Sequence, residues 1–421
     1  MILMGFIVIY PLLSVCGAGD SEGTLSTGSV LETVINDSQL KSMDELRGYL
    51  HAFPQGTPYL DKIELRTETE DFDADKQKFS LRFYPKGWGE TAGTKRLRKT
   101  RNQSHALAFE ERFHKALKDR YDLIVDYLEI RTLMDIEKEL LVNLEDQIRV
   151  LQALGPGDIN FDVGRLIDAQ DDRTTYQLNQ IEREDRLTGL IRCIRQLTGC
   201  DHRFAIPTTG LITVADIRVT VTDLVDSAKA SSSLNPLLAE RQMQVREAEA
   251  EYHLEVAKTH DFIFFFDVRY DLDDRDEMEK AISLEVAFRL PFIHPDRDDI
   301  LKRRVEYMEA KSDLREVEQQ WSDKKESTHR RLSRHLDQYD ILTACKKTGE
   351  AVTSYSLYRQ MDGVDPLDIL KIRQSILETD MHIQKTRFAV LRCFVDLLDL
   401  SGKLSARPLV NYLSATKEGI L

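Results

Sequence analysis

The chain has 421 residues, of which 42% are hydrophobic and 31% charged, and it carries a formal net charge of −14. Nucleic acid is disfavoured as a partner, because binding to a phosphate backbone requires an excess of Lys and Arg. Aromatic residues make up only 8% of the chain, and their scarcity beside so many charges favours long solvated helices over a compact enzyme.

An apolar run from residue 2 to residue 15 leads to Cys16. The run has about 14 residues, fewer than the ~20 that a membrane-spanning helix needs, so we predict a signal peptide over residues 1–18. No Lys or Arg precedes the run, which is atypical. The four residues ending at Cys16 read Leu-Ser-Val-Cys and resemble a lipoprotein cleavage sequence, although the Val is bulkier than usual. Cys16 is therefore a candidate lipidation site, and ordinary cleavage after Gly17 or Ala18 is the alternative.

Two pairs of strands are predicted, at about residues 60–85 and 262–290. In the second pair, apolar and polar residues alternate without a break from Ile282 to Leu290. This period of two is typical of a strand with one apolar and one charged face. Acidic turns, at residues 70–75 and 271–279, connect the two strands of each pair. Each pair is therefore a predicted β-hairpin.

A long helical hairpin is predicted after each strand pair, at about residues 95–199 and 297–402. Apolar residues recur three or four positions apart from Lys95 to Leu154 without a proline, which predicts an amphipathic helix of up to ~90 Å. The sequence Gly-Pro-Gly at 155–157 ends it. A further helix is predicted over residues 235–259.

The second half of the chain repeats the first at an offset of about 203 residues. The clearest correspondences are Glu64, Leu65, Arg66 with Asp267, Val268, Arg269, and Leu197, Thr198, Gly199 with Leu400, Ser401, Gly402. We therefore predict two structural repeats, over residues 19–200 and 235–404. Residues 201–234 are predicted to be an irregular linker, and residues 405–421 a loosely ordered C-terminal tail.

Catalytic and metal-binding patterns are not evident in the sequence. The ten His residues show no ligand spacing, and no Gly-x-Ser-x-Gly or phosphate-loop sequence occurs. We expect the cysteines to be small buried residues on helix faces; they are Cys193, Cys200, Cys345 and Cys393. We predict neither enzymatic activity nor a cofactor.

The duplicated order of helix, β-hairpin and long helical hairpin is accompanied by short sequence matches to a known family. These are Asn235, Pro236, Leu238; Leu290, Pro291, Phe292; Arg195, Gln196, Leu197, Thr198, Gly199; and Tyr358, Gly363, Leu367, Asp368, Ile369, Leu370, with Asp168, Ala169, Gln170 in the first half. Over about residues 58–404 the chain resembles the TolC-like outer-membrane efflux protein family, also called outer membrane factors.

The resemblance implies a mainly α-helical homotrimer with a small antiparallel β part. Three chains would form a 12-stranded β-barrel in the lipid of the outer membrane, continued by an α-helical tunnel across the periplasm. The implied function is a passive exit duct for efflux or type I secretion, with a periplasmic adaptor protein and an inner-membrane transporter as partners. The implied adaptor-contacting tip comprises Gly155, Gly157, Asp362, Gly363 and Pro366.

Some family members narrow their tunnel with rings of Asp, which attract cations. Asp368 matches such a position, and Asp168 lies in the corresponding segment of the first half. However, Lys371 replaces the next expected acid, and the segment before Asp368 is one residue short. Asp368 is thus either part of a constriction or an ordinary first-turn residue favoured by the helix dipole. The alternative to a duct is a non-transporting periplasmic coiled-coil scaffold whose β-hairpins pair with a partner.

Overall fold

The computed structural model describes residues 23–52, 59–69, 77–155, 162–230, 235–259, 263–271, 282–288, 297–358 and 364–420. The predicted signal peptide with Cys16 lies outside these ranges, as do Gly157, Asp362 and Gly363, the whole of the first acidic turn, and all of the second except Asp271. Within them the chain is mainly helical with a small antiparallel sheet, as predicted.

The elements follow in the order that the sequence predicts, with additional short ones. They are β1 (Gly23–Thr24), α1 (Thr27–Glu32), a 3-10 helix (Thr33–Asn36), α2 (Ser38–Ala52), β2 (Leu60–Thr69), β3 (Gln77–Pro85), α3 (Trp88–Leu154), α4 (Val163–Thr198), β4 (Phe204–Ala205), α5 (Val214–Ala230), α6 (Pro236–Lys258), β5 (Ile263–Asp271), β6 (Ile282–Phe288), α7 (Arg297–Thr348), α8 (Glu350–Tyr358) and α9 (Pro366–Leu400).

The four long strands form one sheet in the order β2-β3-β5-β6, and all neighbours are antiparallel. Glu64 is paired with Arg82, Arg82 with Asp267, and Asp267 with Glu285. Because neighbouring residues in such a register point to the same face, the alternation in sequence becomes two chemically distinct faces of the sheet.

The helix α3 has 67 residues and would span about 100 Å at 1.5 Å per residue. It begins earlier than residue 95, at Trp88, and ends at Gly155 with φ 66°. Its first turns pack closely on α6, where a Cβ added to Gly93 would lie 2.9 Å from Leu254 Cδ1. In the second hairpin, the predicted single helix is divided at Gly349 into α7 and α8.

The long helices form a layered arrangement in which α3 packs against α4, α6 and α9, and α7 packs against α6 and α9. The outer members, α4 and α7, expose most of their length. In the described part of α4 only Ala169 and Ile194 are buried, and in α7 Thr328, Leu332 and Leu336. These two helices are therefore the edges of the helical layer.

Three segments pack around the middle of α3 and the C-terminal part of α9. We call them together the belt: residues 23–36, 201–230 and 401–420. The prediction of an irregular linker is incomplete, because residues 214–230 form α5, which buries Ile217. The prediction of a loosely ordered tail is wrong. Leu404 and Leu413 are fully buried, and the hydroxyl of Tyr121 on α3 donates to Val410 O at 3.0 Å.

The apolar residues of the C-terminal segment do not recur with a helix or strand period, although they are buried, so the sequence pattern does not predict their order. Their burial comes from turns that fit the surface of α3: Leu404, Leu409, Leu413 and Ile420 are each at most 4% exposed. The cysteine prediction is also partly wrong. Cys393 is buried, but Cys193 and Cys345 are exposed.

Candidate channel wall and helix ends

One face of the sheet carries a network of alternating charges. At its centre, Arg82 Nη2 lies 2.9 Å from Asp267 Oδ2, and Asp267 is 1% exposed. Arg269 lies 3.9 Å from Asp267 and 3.4 Å from Glu285. Because every acid here has a basic neighbour, the face can be densely charged without strong repulsion.

The network continues onto β2 and includes aromatic rings. Glu64 accepts from Lys62 at 2.6 Å, from Arg66 at 2.7 Å and from the Tyr84 hydroxyl at 3.1 Å. The guanidinium of Arg82 also lies over the ring of Phe265, 3.9 Å from its centroid. This face is therefore hydrophilic and ordered across all four strands.

The opposite face of the sheet is apolar and open. Its most exposed members are Ile63, Leu65, Ile282, Leu284 and Phe288, which are 51–72% exposed. A single chain of a soluble protein rarely leaves so contiguous an apolar surface uncovered. The outer edges of β2 and β6 also pair with no strand in the described residues, which leaves their backbone hydrogen-bonding groups available.

The end of the helices far from the sheet has a small apolar core. We call this end the tip (residues 145–155, 162–172 and 364–374). The core consists of Ile148, Leu151, Ala169 and Leu367. Beside it, side-chain amides connect α3 to α9. Asn143 Nδ2 donates to Leu370 O at 3.0 Å, and Gln147 Nε2 donates to Gln374 Oε1 at 2.9 Å.

Just above the tip, a carboxylate is buried between helices. Glu137 on α3 is 1% exposed and lies 2.9 Å from Arg183 Nε on α4. Burial raises the pKa of Glu137 above its usual value, although Arg183 and Lys385 oppose the shift. Nearby, burial and the negative charges of Glu378, Asp172 and Glu137 raise the pKa of Tyr176 to about 12.

The structure does not bring the predicted constriction residues into contact with one another. Asp168, Asp368 and Lys371 are all exposed, and within the described ranges no ion pair or side-chain hydrogen bond involves them. Pro366 is the first residue of α9. Asp365 caps this helix, because its side chain accepts a hydrogen bond from Leu367 N at 2.9 Å. Gly155 ends α3.

Sequence reasoning missed the polar contacts between helices, although a signal for them exists. Three polar residues of α3 lie at the helical spacing of its apolar residues, three, four or seven positions from them, where a core residue is expected. They are Glu137, Asn143 and Gln147. Polar residues at such positions require partners when buried. They could have been predicted as interhelical contacts, but their partners could not.

Metal-ligand clusters and membrane-spanning helices are both absent from the part of the chain that the structure describes. Among the described residues, no group of His, Cys, Asp and Glu could hold a metal ion. Likewise, no described helix combines the length and apolar character required to cross a membrane.

Comparison with known proteins identifies the class of fold. No protein-family model and no curated protein sequence matches the chain. Among solved structures, it is similar to the CmeC outer membrane channel of Campylobacter jejuni, with a TM-score of 0.62 and 12% identity over 93% of this chain and 87% of that one. The open MtrE outer membrane channel of Neisseria gonorrhoeae gives 0.65 and 10% identity over 90% and 89%.

A third solved structure, the outer membrane protein VceC of Vibrio cholerae, gives a TM-score of 0.62 and 9% identity over 89% of this chain and 96% of that one. At these identities the likeness concerns the fold. The chain thus has the fold of outer-membrane channel proteins, and the similarity extends over nearly its whole length.

Proposed function

We propose that the protein is a passive exit duct in the outer membrane, formed by three copies of this chain. The observation that carries the proposal is the sheet, with one open apolar face and one charged face. This is the pattern of a barrel wall that meets lipid outside and water inside. In the proposed assembly an inner-membrane transporter and a periplasmic adaptor deliver the substrate to the duct, for efflux or for type I secretion.

The number of strands supports a trimer. Four tilted strands cannot enclose a channel, and neither outer edge of this sheet pairs with another strand among the described residues. Three copies would supply twelve strands, with β6 of one copy pairing with β2 of the next, which leaves no edge exposed in the membrane. β2 has 10 residues, the length that a tilted strand needs to cross a bilayer.

The helical edges support the same arrangement. Leu178 and Ile181 on α4 and Ile341 on α7 are 63–64% exposed. These side chains lie at similar heights along the helices, as two contacts show. On α4, Arg183 contacts Glu137 of α3. On α7, Lys346 contacts Asp380 of α9, which lies one to two turns from Lys385, a residue close enough to Glu137 to affect its pKa. In a closed ring, α4 of one copy would pack against α7 of the next, and this contact would bury all three apolar side chains.

The far end of the helices would be the periplasmic tip. We assign the adaptor contact to its turns, which include Gly155, Gly157, Asp362, Gly363 and Pro366. Asp368 and Asp168 are the candidates for a ring of negative charge. Lys371 would place a positive charge where the family pattern has a further acid. The exposed apolar face favours the duct over a periplasmic scaffold, since a scaffold in water has no use for a lipid-facing sheet.

Cell fractionation with a matched pair of variants tests the proposal. Leu284 lies on the apolar face and Ser283, its neighbour in β6, on the charged face. We expect Leu284→Lys to lower the yield of heat-modifiable outer-membrane trimers strongly, because Lys at a lipid-facing position costs about 2–4 kcal/mol near the bilayer midplane. Ser283→Lys should preserve trimers and ion conductance in planar bilayers. Recovery of the unmodified protein as a soluble monomer or dimer would refute the duct.

A further inference from the structure

The first turns of α3 carry exposed cations close to the sheet, and we call them the collar: Lys95, Arg96 and Lys99. Among the described residues, none of the three takes part in an ion pair. Lys95 and Lys99 are four positions apart, where two like charges on a helix destabilise each other. In a chain with a net charge of −14, such a group of unpaired cations runs against the overall composition.

The basic residues that face α6 do have acidic partners. Arg101 of α3 lies 3.1 Å from Glu247 and 2.5 Å from Glu251, and both acids are on α6. Glu251 also lies 2.8 Å from Arg303 of α7. The charges between these three helices are thus balanced within the fold. Those of the collar are not, so an anion that neutralises them has to come from outside the chain.

The collar continues the face of α3 that the belt covers farther from the sheet. Phe113 and Leu117 belong to the main core, together with residues of the belt. Lys99 precedes Phe113 by two heptads and Arg96 precedes Leu117 by three, and a helix face drifts by only about 20° per heptad. In the proposed duct the belt fits outside the ring of helices, because inside the ring it would fill the tunnel. The collar therefore points away from the tunnel.

The collar also lies at the height of the lipid headgroups. α3 begins at Trp88, three residues after the end of β3 at Pro85. At 1.5 Å per residue the collar lies about 10–17 Å along the helix from Trp88. Headgroups add about 5–8 Å to each side of the hydrocarbon core, and long basic side chains extend towards them. With the sheet in the core, the charged ends of the collar reach the headgroups.

An exposed aromatic ring accompanies the cations. Tyr59 immediately precedes β2 and is 71% exposed, and Lys95 Nζ lies 5.9 Å from its ring centroid. Tyr is enriched at membrane interfaces, because its ring is apolar and its hydroxyl group polar. The ring and the cations together suit a boundary between acyl chains and phosphate groups.

We propose that the collar binds the anionic headgroups of phospholipids in the outer-membrane leaflet that is nearest to the helices. Lys and Arg donate charge-assisted hydrogen bonds to phosphate oxygens, and each such residue near an anionic surface contributes about fivefold in affinity. Three copies would surround the duct with a ring of these cations and hold it at a fixed depth in the membrane. The inference rests on the proposed function, because it requires the sheet to lie in the bilayer.

Melting of the purified protein in vesicles of defined composition tests the inference. We expect phosphatidylglycerol, added to phosphatidylcholine vesicles, to raise the melting temperature, and added salt to reduce this rise. A triple variant, Lys95→Gln with Arg96→Gln and Lys99→Gln, should lose most of the rise and melt like the unmodified protein in phosphatidylcholine alone. Lys99→Gln by itself should require about fivefold more phosphatidylglycerol for half of the rise.

A matched triple variant removes three exposed cations of α7 that lie far from the sheet: Arg330→Gln, Arg334→Gln and Lys347→Gln. It should keep the whole rise, as should Lys95→Arg with Lys99→Arg, which retains the charges. An undiminished rise in the collar triple variant would overturn the inference and leave the duct standing. So would an equal rise caused by inorganic phosphate in phosphatidylcholine vesicles, since the anion would then not be a lipid. Recovery of the unmodified protein only as a soluble monomer or dimer would refute the duct itself, and the inference with it.

Discussion

The belt and the tip are built on the same two helices, α3 and α9, but they differ greatly in how those helices are packed. In the belt, side chains from residues 23–36, from α5 and from residues 401–420 pack on the helices, and Tyr121, Phe388 and Phe394 are at most 1% exposed. The tip has a core of four buried residues and relies on amide contacts between helices. Local stability follows buried apolar contact.

The contrast suits the proposed duct, if its middle is fixed and its far end can be rearranged. A ring of helices keeps its diameter where each helix packs against several neighbours. Where the apolar core is small and the helices are joined by polar contacts, a rearrangement requires less free energy. The stability of the two regions should therefore differ measurably for the same chemical change.

The largest expected effect on the free energy of unfolding comes from truncating one buried leucine in each region. Leu398 in the belt is 0% exposed and Leu367 at the tip is 2% exposed, and both lie on α9. We expect Leu398→Ala to lower the free energy of unfolding by about 4 kcal/mol and Leu367→Ala by about 2 kcal/mol, because a crowded site cannot collapse around the cavity. Denaturant melts of the purified protein measure the difference.

Equal losses in the two variants would show that the tip is packed as rigidly as the belt. Hydrogen exchange provides an independent comparison, since amides of α9 near Leu367 should exchange faster than those near Leu398 in the unmodified protein.

The sequence predicted the regular elements well because their periods are long and uninterrupted. The alternation from Ile282 and the apolar spacing from Tyr121 to Leu151 both persist for enough residues to identify a strand and a helix. The tail around Leu404 and Leu413 has no such period, and its order arises from contacts distant in the chain, such as Tyr121 with Val410. Site contacts like Glu137 with Arg183 likewise depend on the register between two helices, which one sequence does not specify.

A somewhat smaller effect is expected from the buried ion pair between the belt and the tip. Replacing Arg183 with Met leaves the carboxylate of Glu137 buried without its partner on α4. We expect a loss of about 3 kcal/mol, since an unpaired buried charge is costly. The double variant Glu137→Gln with Arg183→Met should regain much of it, because neither charge is then left unpaired. A double variant as unstable as Arg183→Met alone would contradict this explanation.

The same pair predicts a dependence on pH. Burial raises the pKa of Glu137 above its unfolded value, so the folded state binds more protons between the two pKa values. The stability contributed by this group is complete below the unfolded pKa and is lost as pH rises through the folded pKa. Without Arg183 the pKa rises further, so the loss in Arg183→Met should be larger at pH 8 than at pH 5. Melts at both values measure this, with the double variant Glu137→Gln with Arg183→Met as the reference that lacks both groups of the pair.

The smallest effect on stability, but a decisive one for function, is expected at the exposed end of α9. Asp368 is exposed in the first turn, where the helix dipole favours a negative charge by only about 0.3–1 kcal/mol. We expect Asp368→Asn to change stability within that range and to lower the ratio of cation to anion permeability in planar bilayers. Lys371→Asp should raise the ratio, because it adds negative charge one turn along the same helix. If neither variant alters the ratio, Asp368 is an ordinary first-turn charge, and the proposed tunnel is not narrowed by acids at this height.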